Sequence, residues 1–375
     1  MSDGAALSAP DPVRGGRRPC AGGLRRNGAL RHRGRHQDCA AAQTPVSGRG
    51  NRVTALVPGD VVDVVAPASG CGEEILRAGL RILAEWGLVP RVPNGLFGPR
   101  YLYSNEDAVR WRQLRAALTS PVSRAVWCAR GGYGSARLLP YLERFSARRA
   151  APPERKLWVG FSDLTSLHVF LNQRWHWPTL HGPVVAQLGS ERFPQVAREA
   201  VRKIVFGEAR SARWPGLLAM NQAATSRRQI SGRLLGGNLK TLQSLAGTPW
   251  VLSAERAILV LEDVNERGYA VDRMLVQLRQ AGMLRGVRAL VFGSFTGGEE
   301  ANGVSLVEEV LRRFAASVRF PVYGDMRFGH EPDARPVPLG IGARIIRCED
   351  ARRAVLSVDW SAAPVAPEPG GARAR

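Results

Sequence analysis

The chain has 375 residues, of which 45% are apolar, and a formal charge of +21. This length excludes a disulfide-stapled miniprotein and is ample for one large or two ordinary domains with real cores. No stretch approaches the roughly 18 consecutive apolar residues that a membrane-spanning helix needs, and the N-terminus lacks the apolar core of a secretory signal. We therefore expect a soluble, cytoplasmic protein without a membrane partner.

The high positive charge comes from arginine, because only three of the 53 basic residues are lysines. That imbalance indicates a compositional bias of the coding sequence before it indicates nucleic-acid binding, although the resulting field still attracts anions. The five cysteines are odd in number and lack CxxC or metal-type spacing. We expect a reducing compartment, no structural zinc and no cofactor.

The two ends of the chain differ in composition from the rest. Residues 1–52 are rich in Arg, Gly, Ala and Pro and show no apolar period, and residues 361–375 have the same character. Such segments cannot bury enough apolar surface to order themselves. We predict a disordered extension at the first end and a disordered tail at the second.

Between these ends, short apolar runs alternate with helical patterns, which is typical of parallel strands joined by crossover helices. The fold class is therefore α/β. The first domain is predicted over 53–190, where the patterns indicate strands and helices in this order: strand 61–67, helix 73–87, strand 124–130, strand 156–160 and helix 163–175.

A second domain is predicted over 230–360, after a helix and linker over 191–229. Within that linker, residues 207–229 are polar and irregular enough to be an interdomain connection. The second domain reads as another α/β unit, with a strand at 257–264, a helix over about 269–282 and a strand at 287–295.

The most informative local pattern is WVGFSDLTS, 158–166, in which a strand ends at Gly160 and a helix begins just after Ser162. A serine at such a junction projects its hydroxyl beyond the sheet, and the N–H of Asp163 lies at a helix N-terminus that can stabilise an oxyanion. The alternative is that Ser162 simply caps the helix. The G-x-S-x-G form is incomplete, since Leu164 replaces the second glycine.

A second pattern is ARGGYGSARLLPYL, 129–142, where a strand runs into a glycine turn that opens a helix. Gly131, Gly132 and Gly134 allow a backbone to approach a ligand and can form an anion nest. A dinucleotide site is disfavoured, because the spacing is not G-x-G-x-x-G. Ser135 lies in the first helical turn, and we favour a capping or solvent role for it.

Acids and a histidine complete the set of candidates. Glu262 and Asp263 end an apolar strand, where open α/β sheets bind ligands, and His330 lies in the Gly- and Pro-rich loop 327–340. The acids can bind a metal, orient a histidine or be solvated, and a lone loop histidine is more often structural than catalytic. The remaining histidines show no metal-ligand spacing.

Taken together, eight short blocks between about residues 57 and 348 resemble the LD-carboxypeptidase family of serine peptidases, the muramoyl-tetrapeptide carboxypeptidases that also include microcin-immunity proteins. The blocks, in the order of that family, are GDVVDVVAPASG, RGGYG with LLPYL, VGFSD, LHGPV, GGNL, ILVLEDV, GSF and GH. The resemblance implies a two-domain α/β enzyme whose nucleophile lies in the N-terminal domain and whose site lies in the cleft. The extension over 1–52 is outside the family pattern.

By that resemblance, Ser162 matches the nucleophile of the family, Glu262 its triad acid and His330 its general base. Serine needs a histidine to remove its proton, and the histidine needs an acid to hold its tautomer. The N–H groups of Asp163 and Gly132 would then form the oxyanion hole.

The implied activity is a serine carboxypeptidase that releases the terminal D-Ala from a murein tetrapeptide or muropeptide, a peptidoglycan-recycling step. A carboxypeptidase must also recognise a free carboxylate, for which an arginine such as Arg130 or a helix N-terminus is suited. Ser135, which follows GGYG, is a competing serine. A homodimer is expected from the resemblance alone.

Three alternatives stay open. The first is an immunity-type hydrolase that cleaves an amide in a peptidyl or aminoacyl nucleotide. The second is a nucleic-acid-binding protein, for which the N-terminal arm offers charge but no aromatic residue to stack on bases. The third is a small-molecule receptor that uses the same cleft without catalysis.

Overall fold

A computed structural model describes residues 54–99, 102–332 and 334–360. The predicted extension over 1–52 and the predicted tail over 361–375 lie outside these ranges. Across the described ranges, no helix combines the length and the apolar character needed to cross a membrane.

The strands, in chain order, are β1 (Val61–Val65), β2 (Val89–Arg91), β3 (Ser123–Cys128), β4 (Leu157–Gly160), β5 (Thr179–His181), β6 (Ser211–Ala219), β7 (Gln229–Asn238), β8 (Ala257–Val264), β9 (Ala289–Thr296), β10 (Val322–Gly324), β11 (Val337–Leu339), β12 (Gly342–Arg347) and β13 (Arg353–Asp359). The helices are α1 (Glu73–Glu85), α2 (Asp107–Thr119), α3 (Leu139–Ala147), α4 (Thr165–Arg174), α5 (Val185–Leu188), α6 (Gln195–Val205), α7 (Gln222–Ser226), α8 (Leu239–Ser244), α9 (Gly268–Gln280) and α10 (Val307–Ala316). Short 3-10 turns at Ser135–Leu138 and Ser162–Leu164 precede α3 and α4.

The first sheet has six strands in the order β11-β5-β4-β3-β1-β2. Its five N-terminal strands are parallel, and β11 joins the edge antiparallel to β5. The strands β3 and β4 are almost entirely buried, as expected for central strands covered by helices on both faces. The predicted α/β character of this domain is confirmed.

The second domain is a closed barrel in the strand order β10-β6-β13-β12-β7-β8-β9. Strands β7 to β10 are parallel, while β6, β12 and β13 pair antiparallel with their neighbours. The prediction that 207–229 is an irregular connection was wrong, because this segment contains β6 and α7. Strand β6 misleads because exposed and half-buried residues dominate it and Pro215 and Gly216 interrupt it.

The two domains are joined by a common apolar cluster and by a strand that passes from one domain to the other. A buried apolar cluster runs from α4 to α8 and includes Leu167, Phe170, Leu239 and Leu242. The chain also returns from the barrel to the first sheet, since β11 lies between barrel strands in the sequence but pairs with β5. That return carries the loop before β11, with His330, to the carboxyl edge of the first sheet.

Candidate active site

Ser162 sits in a strained elbow between β4 and α4. Its backbone φ is +62°, in the left-handed region that non-glycine residues rarely occupy. The residues that cap the 3-10 turn and α4 are Phe161 and Leu164, and neither cap involves a side-chain hydrogen bond. The capping alternative for Ser162 was therefore wrong. Its half-buried hydroxyl makes no hydrogen bond to any part of the chain that the structure describes.

The glycine turn after β3 lies directly beside this serine. A methyl group placed on Gly131 would be 3.0 Å from Cβ and 3.5 Å from Oγ of Ser162. Gly132 has a φ of +95°, and a methyl group there would be 2.5 Å from Oγ of Ser69. Within the described residues, the N–H groups of Gly132 and Asp163 donate no hydrogen bond. Two unengaged backbone donors therefore lie on the chain segments next to the serine.

Ser135 ties this turn to the elbow. It is fully buried, its Oγ donates to the carbonyl of Asp163 (2.6 Å), and its N–H donates to Oδ2 of Asp163 (2.8 Å). Ser135 also shares a hydrogen bond of 2.7 Å with Ser166. Burial raises the pKa of the Asp163 carboxyl, and the Ser135 hydrogen bonds partly offset that rise. The predicted capping or solvent role of Ser135 was wrong.

Arg110 holds the other end of the glycine turn, and sequence reasoning missed it because helix α2 was not predicted. The side chain is buried, and Nη1 donates to the carbonyls of Pro67 and Gly134. Nη2 donates to Asp107 (2.6 Å). A charge-assisted bond to two loops at once fixes their separation, so the turn is positioned before any ligand arrives.

Glu262 and His330 form the other half of the site. Glu262 lies near the end of β8, is completely buried, and its Oε2 is 2.6 Å from Nδ1 of His330. This contact places the Nδ1 proton against the carboxylate and leaves Nε2 as the available nitrogen. Gly329, with a φ of +134°, allows the approach, because a methyl group there would lie 3.1 Å from Oε2 of Glu262.

Phe161 joins the two halves. It directly precedes Ser162, and its ring centroid lies 4.3 Å from that of His330. The serine and the histidine therefore share a neighbour, although they form no hydrogen bond with each other in this structure. Catalytic hydrogen bonds are often long in the absence of substrate and tighten when substrate binds.

Asp263, the acid next to Glu262, forms hydrogen bonds to the backbone and side chain of the segment that enters α8. Asp263 accepts hydrogen bonds from Nδ2 of Asn238 (2.9 Å) and from the N–H of Lys240 (2.9 Å), at the start of α8. Burial raises its pKa to about 6. The N–H of Asn238 donates to Oγ1 of Thr165 in α4 (3.0 Å), so Asp263 supports the junction between the barrel and the nucleophile helix.

Arg130 and the remaining histidines are placed as follows. Arg130 is exposed, and its Nη1 donates to the carbonyl of Gly70 (2.8 Å). His168 in α4 and His181 in β5 are both buried, and burial lowers the pKa of His168 to about 4. Within the described ranges, no group of three His, Cys, Asp or Glu side chains is arranged to hold a metal ion.

A serine with a free hydroxyl, a histidine held by a buried carboxylate and two unengaged N–H groups are the components of nucleophilic acyl transfer. Known proteins agree with this chemistry. Residues 62–182 match the model of the LD-carboxypeptidase N-terminal domain, and residues 231–345 match that of the C-terminal domain. The chain belongs to the LD-carboxypeptidase family and is a serine-type carboxypeptidase.

The similarity to individual relatives extends over most of this chain and most of each relative. A protein of Rickettsia conorii with a provisional carboxypeptidase name is 36% identical over 77% of this chain and 89% of its own. The murein tetrapeptide carboxypeptidase of Pseudomonas aeruginosa is 33% identical over 74% of this chain and 91% of its own.

Solved structures agree on the fold. The muramoyltetrapeptide carboxypeptidase of Oxalobacter formigenes has a TM-score of 0.67 at 25% identity, covering 81% of this chain and 100% of its own. A microcin C7 self-immunity protein, solved with aspartyl sulfamoyl adenosine, has a TM-score of 0.67 at 18% identity, covering 84% and 99%. The second likeness concerns the fold alone.

Proposed function

We propose that the protein is a cytoplasmic LD-carboxypeptidase that releases the terminal D-Ala from murein tetrapeptides in peptidoglycan recycling. The observation that carries this proposal is the strained Ser162, whose neighbour Phe161 packs on a histidine that is hydrogen-bonded to a buried glutamate. The substrate class is supported by the names of the relatives from Pseudomonas aeruginosa and Oxalobacter formigenes.

The acylation step uses both halves of the site. His330 Nε2 removes the proton of Ser162 Oγ, which attacks the carbonyl carbon of the third residue, an L-centre of diaminopimelate or lysine. Glu262 holds the Nδ1 proton and stabilises the imidazolium that forms. The carbonyl oxygen becomes negative and is bound by the N–H groups of Gly132 and Asp163.

Collapse of this intermediate breaks the peptide bond. His330 gives its proton to the departing nitrogen of D-Ala, which leaves as the free amino acid, and the acyl group stays on Ser162 as an ester. A water molecule then gives a proton to His330 and attacks the ester carbonyl. The second collapse returns the proton to Ser162 and frees the tripeptide.

The direct test measures D-alanine released from L-Ala-D-Glu-diaminopimelate-D-Ala by the wild-type protein and by Ser162→Ala, with a metal chelator present. We expect release by the wild type alone, with the circular dichroism spectra of both proteins superimposable. Because the chelator is present, this result also establishes a metal-independent reaction. A fully active Ser162→Ala protein would refute the assignment of the nucleophile.

A parallel reaction with an aminoacyl sulfamoyl adenosine tests the immunity-type alternative under the same conditions. We expect the tetrapeptide to be hydrolysed with the larger kcat/KM. Hydrolysis of the nucleotide conjugate without D-alanine release would transfer the assignment to that activity. Failure of both substrates with folded protein would favour the receptor alternative.

A further inference from the structure

A pocket of about 320 Å³, partly open to solvent, lies beside the loop that carries His330. It is not part of the triad or of the glycine turn. Its walls include these six residues: Phe161, His181, Pro183, Gly329, Arg335 and Pro336. Its lining is mixed, because polar side chains such as those of His181 and Arg335 stand among aromatic and proline residues. A pocket of this kind can hold a small group that is itself polar.

Strand register places this pocket next to Ser162. Gly160 of β4 pairs with His181 of β5, and His181 pairs with Val337 of β11. Continuing the antiparallel pairing of β5 with β11 by two residues brings Pro183 and Arg335 together, and Phe161, which directly precedes Ser162, lines the pocket with them. A methyl group on Gly182 would be 3.1 Å from Cβ of Pro336, so the two chains stay adjacent beyond the strands.

Arg335 is a cation whose guanidinium is held in place by contacts with strand β6. Its Nη1 donates to the carbonyl of Arg213 (2.8 Å), and its guanidinium lies 5.6 Å from the ring centroid of Trp214. It forms no ion pair with any described residue. Arg335 as a whole residue is exposed, and desolvation of its guanidinium, followed by the charge of Arg327, lowers its pKa. A bound carboxylate would supply a counter-charge that none of the described residues provides, together with a bidentate partner.

The second polar feature of the pocket is His181. Its side chain is buried between Phe161 and Phe328, with ring centroids 5.1 and 4.7 Å away, and its Nε2 has no hydrogen-bond partner. An unpaired buried nitrogen is costly unless a ligand or water completes it. Glu331 also lines the pocket, but it already has an interaction partner.

The direction of the reaction tells which part of the substrate belongs here. The general acid must reach the leaving nitrogen, so the leaving residue lies on the His330 side of Ser162. The glycine turn occupies the opposite side, because β3 and β5 flank β4. Arg130 belongs to that opposite side, since the pairing of Trp127 with Val159 extends to Arg130 and Ser162.

Resting on the proposed function, we propose that this pocket is the subsite of the leaving amino acid and that Arg335 binds its α-carboxylate. The α-carboxylate is only about two bonds from the leaving nitrogen, so the pocket lined by both Phe161, next to the proposed nucleophile, and Arg335 is placed to receive it. The subsite therefore selects a small C-terminal residue with a free carboxylate. Arg335, and not Arg130, makes the enzyme a carboxypeptidase.

The kinetic test compares a tetrapeptide ending in D-Ala with the same peptide ending in D-Ala amide. For Arg335→Gln, we expect kcat/KM on the acid to fall about 10- to 100-fold, mainly through KM, because a charged hydrogen-bond pair is lost. The amide should change by less than about threefold, so the preference for the acid disappears. Arg335→Lys should recover part of the loss.

Arg327→Gln is the matched control, because it removes the same charge from the neighbouring segment without lining the pocket. We expect less than about a threefold change on either peptide. An equal loss on acid and amide in Arg335→Gln would mean a structural role and would overturn the proposal. A loss of acid preference in Arg130→Gln with none in Arg335→Gln would also overturn it.

An equilibrium measurement separates this proposal from the proposed function. Calorimetry on Ser162→Ala should show the acid binding at least about tenfold more tightly than the amide, and Ser162→Ala/Arg335→Gln should bind both equally. If the wild type releases no D-Ala while this Arg335-dependent difference persists, the reaction is wrong and the subsite stands. If neither peptide binds with a carboxylate preference, the subsite is wrong.

Discussion

The half of the site around Ser162, the proposed nucleophile, is held mainly by the backbone and by short polar side chains. The half around Glu262 and His330, the proposed acid and base, is held by burial in a barrel. We call them the nucleophile half and the barrel half. Ser162 lies where one strand meets one helix, and Ser135 fixes the adjacent turn within 28 residues along the chain. Glu262 and His330 are 68 residues apart and meet only because the chain leaves the barrel for the first sheet. The first half depends on backbone conformation, and the second on a buried charge.

This difference predicts how each half fails. A change of conformation should damage the nucleophile half, because its donors are backbone groups that no side chain can replace. A change of charge should damage the other half, because a buried carboxylate and a histidine stabilise each other directly. Substitutions can test the two halves separately.

The largest effect is expected from Glu262→Gln. Glutamine keeps the shape but can present its amide to Nδ1 of His330, so the tautomer with a basic Nε2 is lost. We expect kcat to fall about 10³- to 10⁴-fold. Steady-state kinetics with thermal unfolding checks this, and a variant that folds normally and keeps kcat within tenfold would contradict the role of Glu262.

A smaller effect is expected from Gly132→Ala, which alters conformation without altering charge. The added methyl group meets Oγ of Ser69 and is strained at a φ of +95°. Displacing one oxyanion donor should lower kcat about 10²- to 10³-fold. Gly59→Ala is the matched control, because Gly59 has a φ of +91° and nothing within 4 Å of the added methyl group.

The Gly59→Ala control should lose stability but keep kcat, because Gly59 has the same left-handed backbone conformation as Gly132 but lies outside the candidate active site. Equal kcat losses in the two variants would show that strain alone explains Gly132→Ala. Combining Gly132→Ala with Ser69→Gly should restore part of the activity, because the double variant removes both Oγ and Cβ of Ser69, the atoms that the added methyl group meets.

Ser135→Ala tests the connection between the glycine turn and the elbow. It leaves the carbonyl of Asp163 and the hydroxyl of Ser166 without a buried partner, so the free energy of unfolding should fall by about 1–3 kcal/mol. We expect kcat to fall only about tenfold. Complete inactivity with normal folding would instead identify Ser135 as a nucleophile.

The smallest effects are expected in the pH dependence of stability, with opposite signs in the two halves. The pKa of His168 is lowered to about 4, so the unfolded chain takes up this proton at a higher pH than the folded chain. The free energy of unfolding therefore falls as pH falls from 6.5 towards 4. The pKa of Asp263 is raised to about 6, so the folded chain keeps this proton to a higher pH than the unfolded chain. The free energy of unfolding therefore falls as pH rises from 3.8 through 6.

Urea unfolding between pH 4 and pH 7 measures both slopes. Relative to the wild type, Asp263→Asn should gain stability as pH rises through this window, and His168→Gln should gain stability as pH falls. Variants whose free energy of unfolding changes with pH in the same way as that of the wild type would contradict the shifted pKa values of His168 and Asp263.

The sequence predicts the strand, turn and helix around Ser162 well for a physical reason. A strand, a serine and a helix follow one another within 158–166, so the elbow is a local pattern. Strand β8 is likewise recovered at 257–264, because it is buried along nearly its whole length and reads as one apolar run. Local burial leaves a local signature.

The barrel half is predicted less well, because its signals are not local. Strand β6 was taken for a linker, and the antiparallel part of the barrel was not expected. Pairing Glu262 with His330 rested on the family resemblance, since no spacing rule joins residues so far apart. Arg335 was not a candidate at all, because its position depends on β11 crossing to β5.

The most direct test of the central claim identifies the reactive serine. The wild-type protein is treated with a fluorophosphonate, which modifies only activated serines, and the modified peptide is located by mass spectrometry. We predict one adduct, on Ser162, that is absent from Ser162→Ala and Glu262→Gln and still formed in Ser135→Ala. An adduct on Ser135 or Ser166, or none on the folded wild type, would contradict the account.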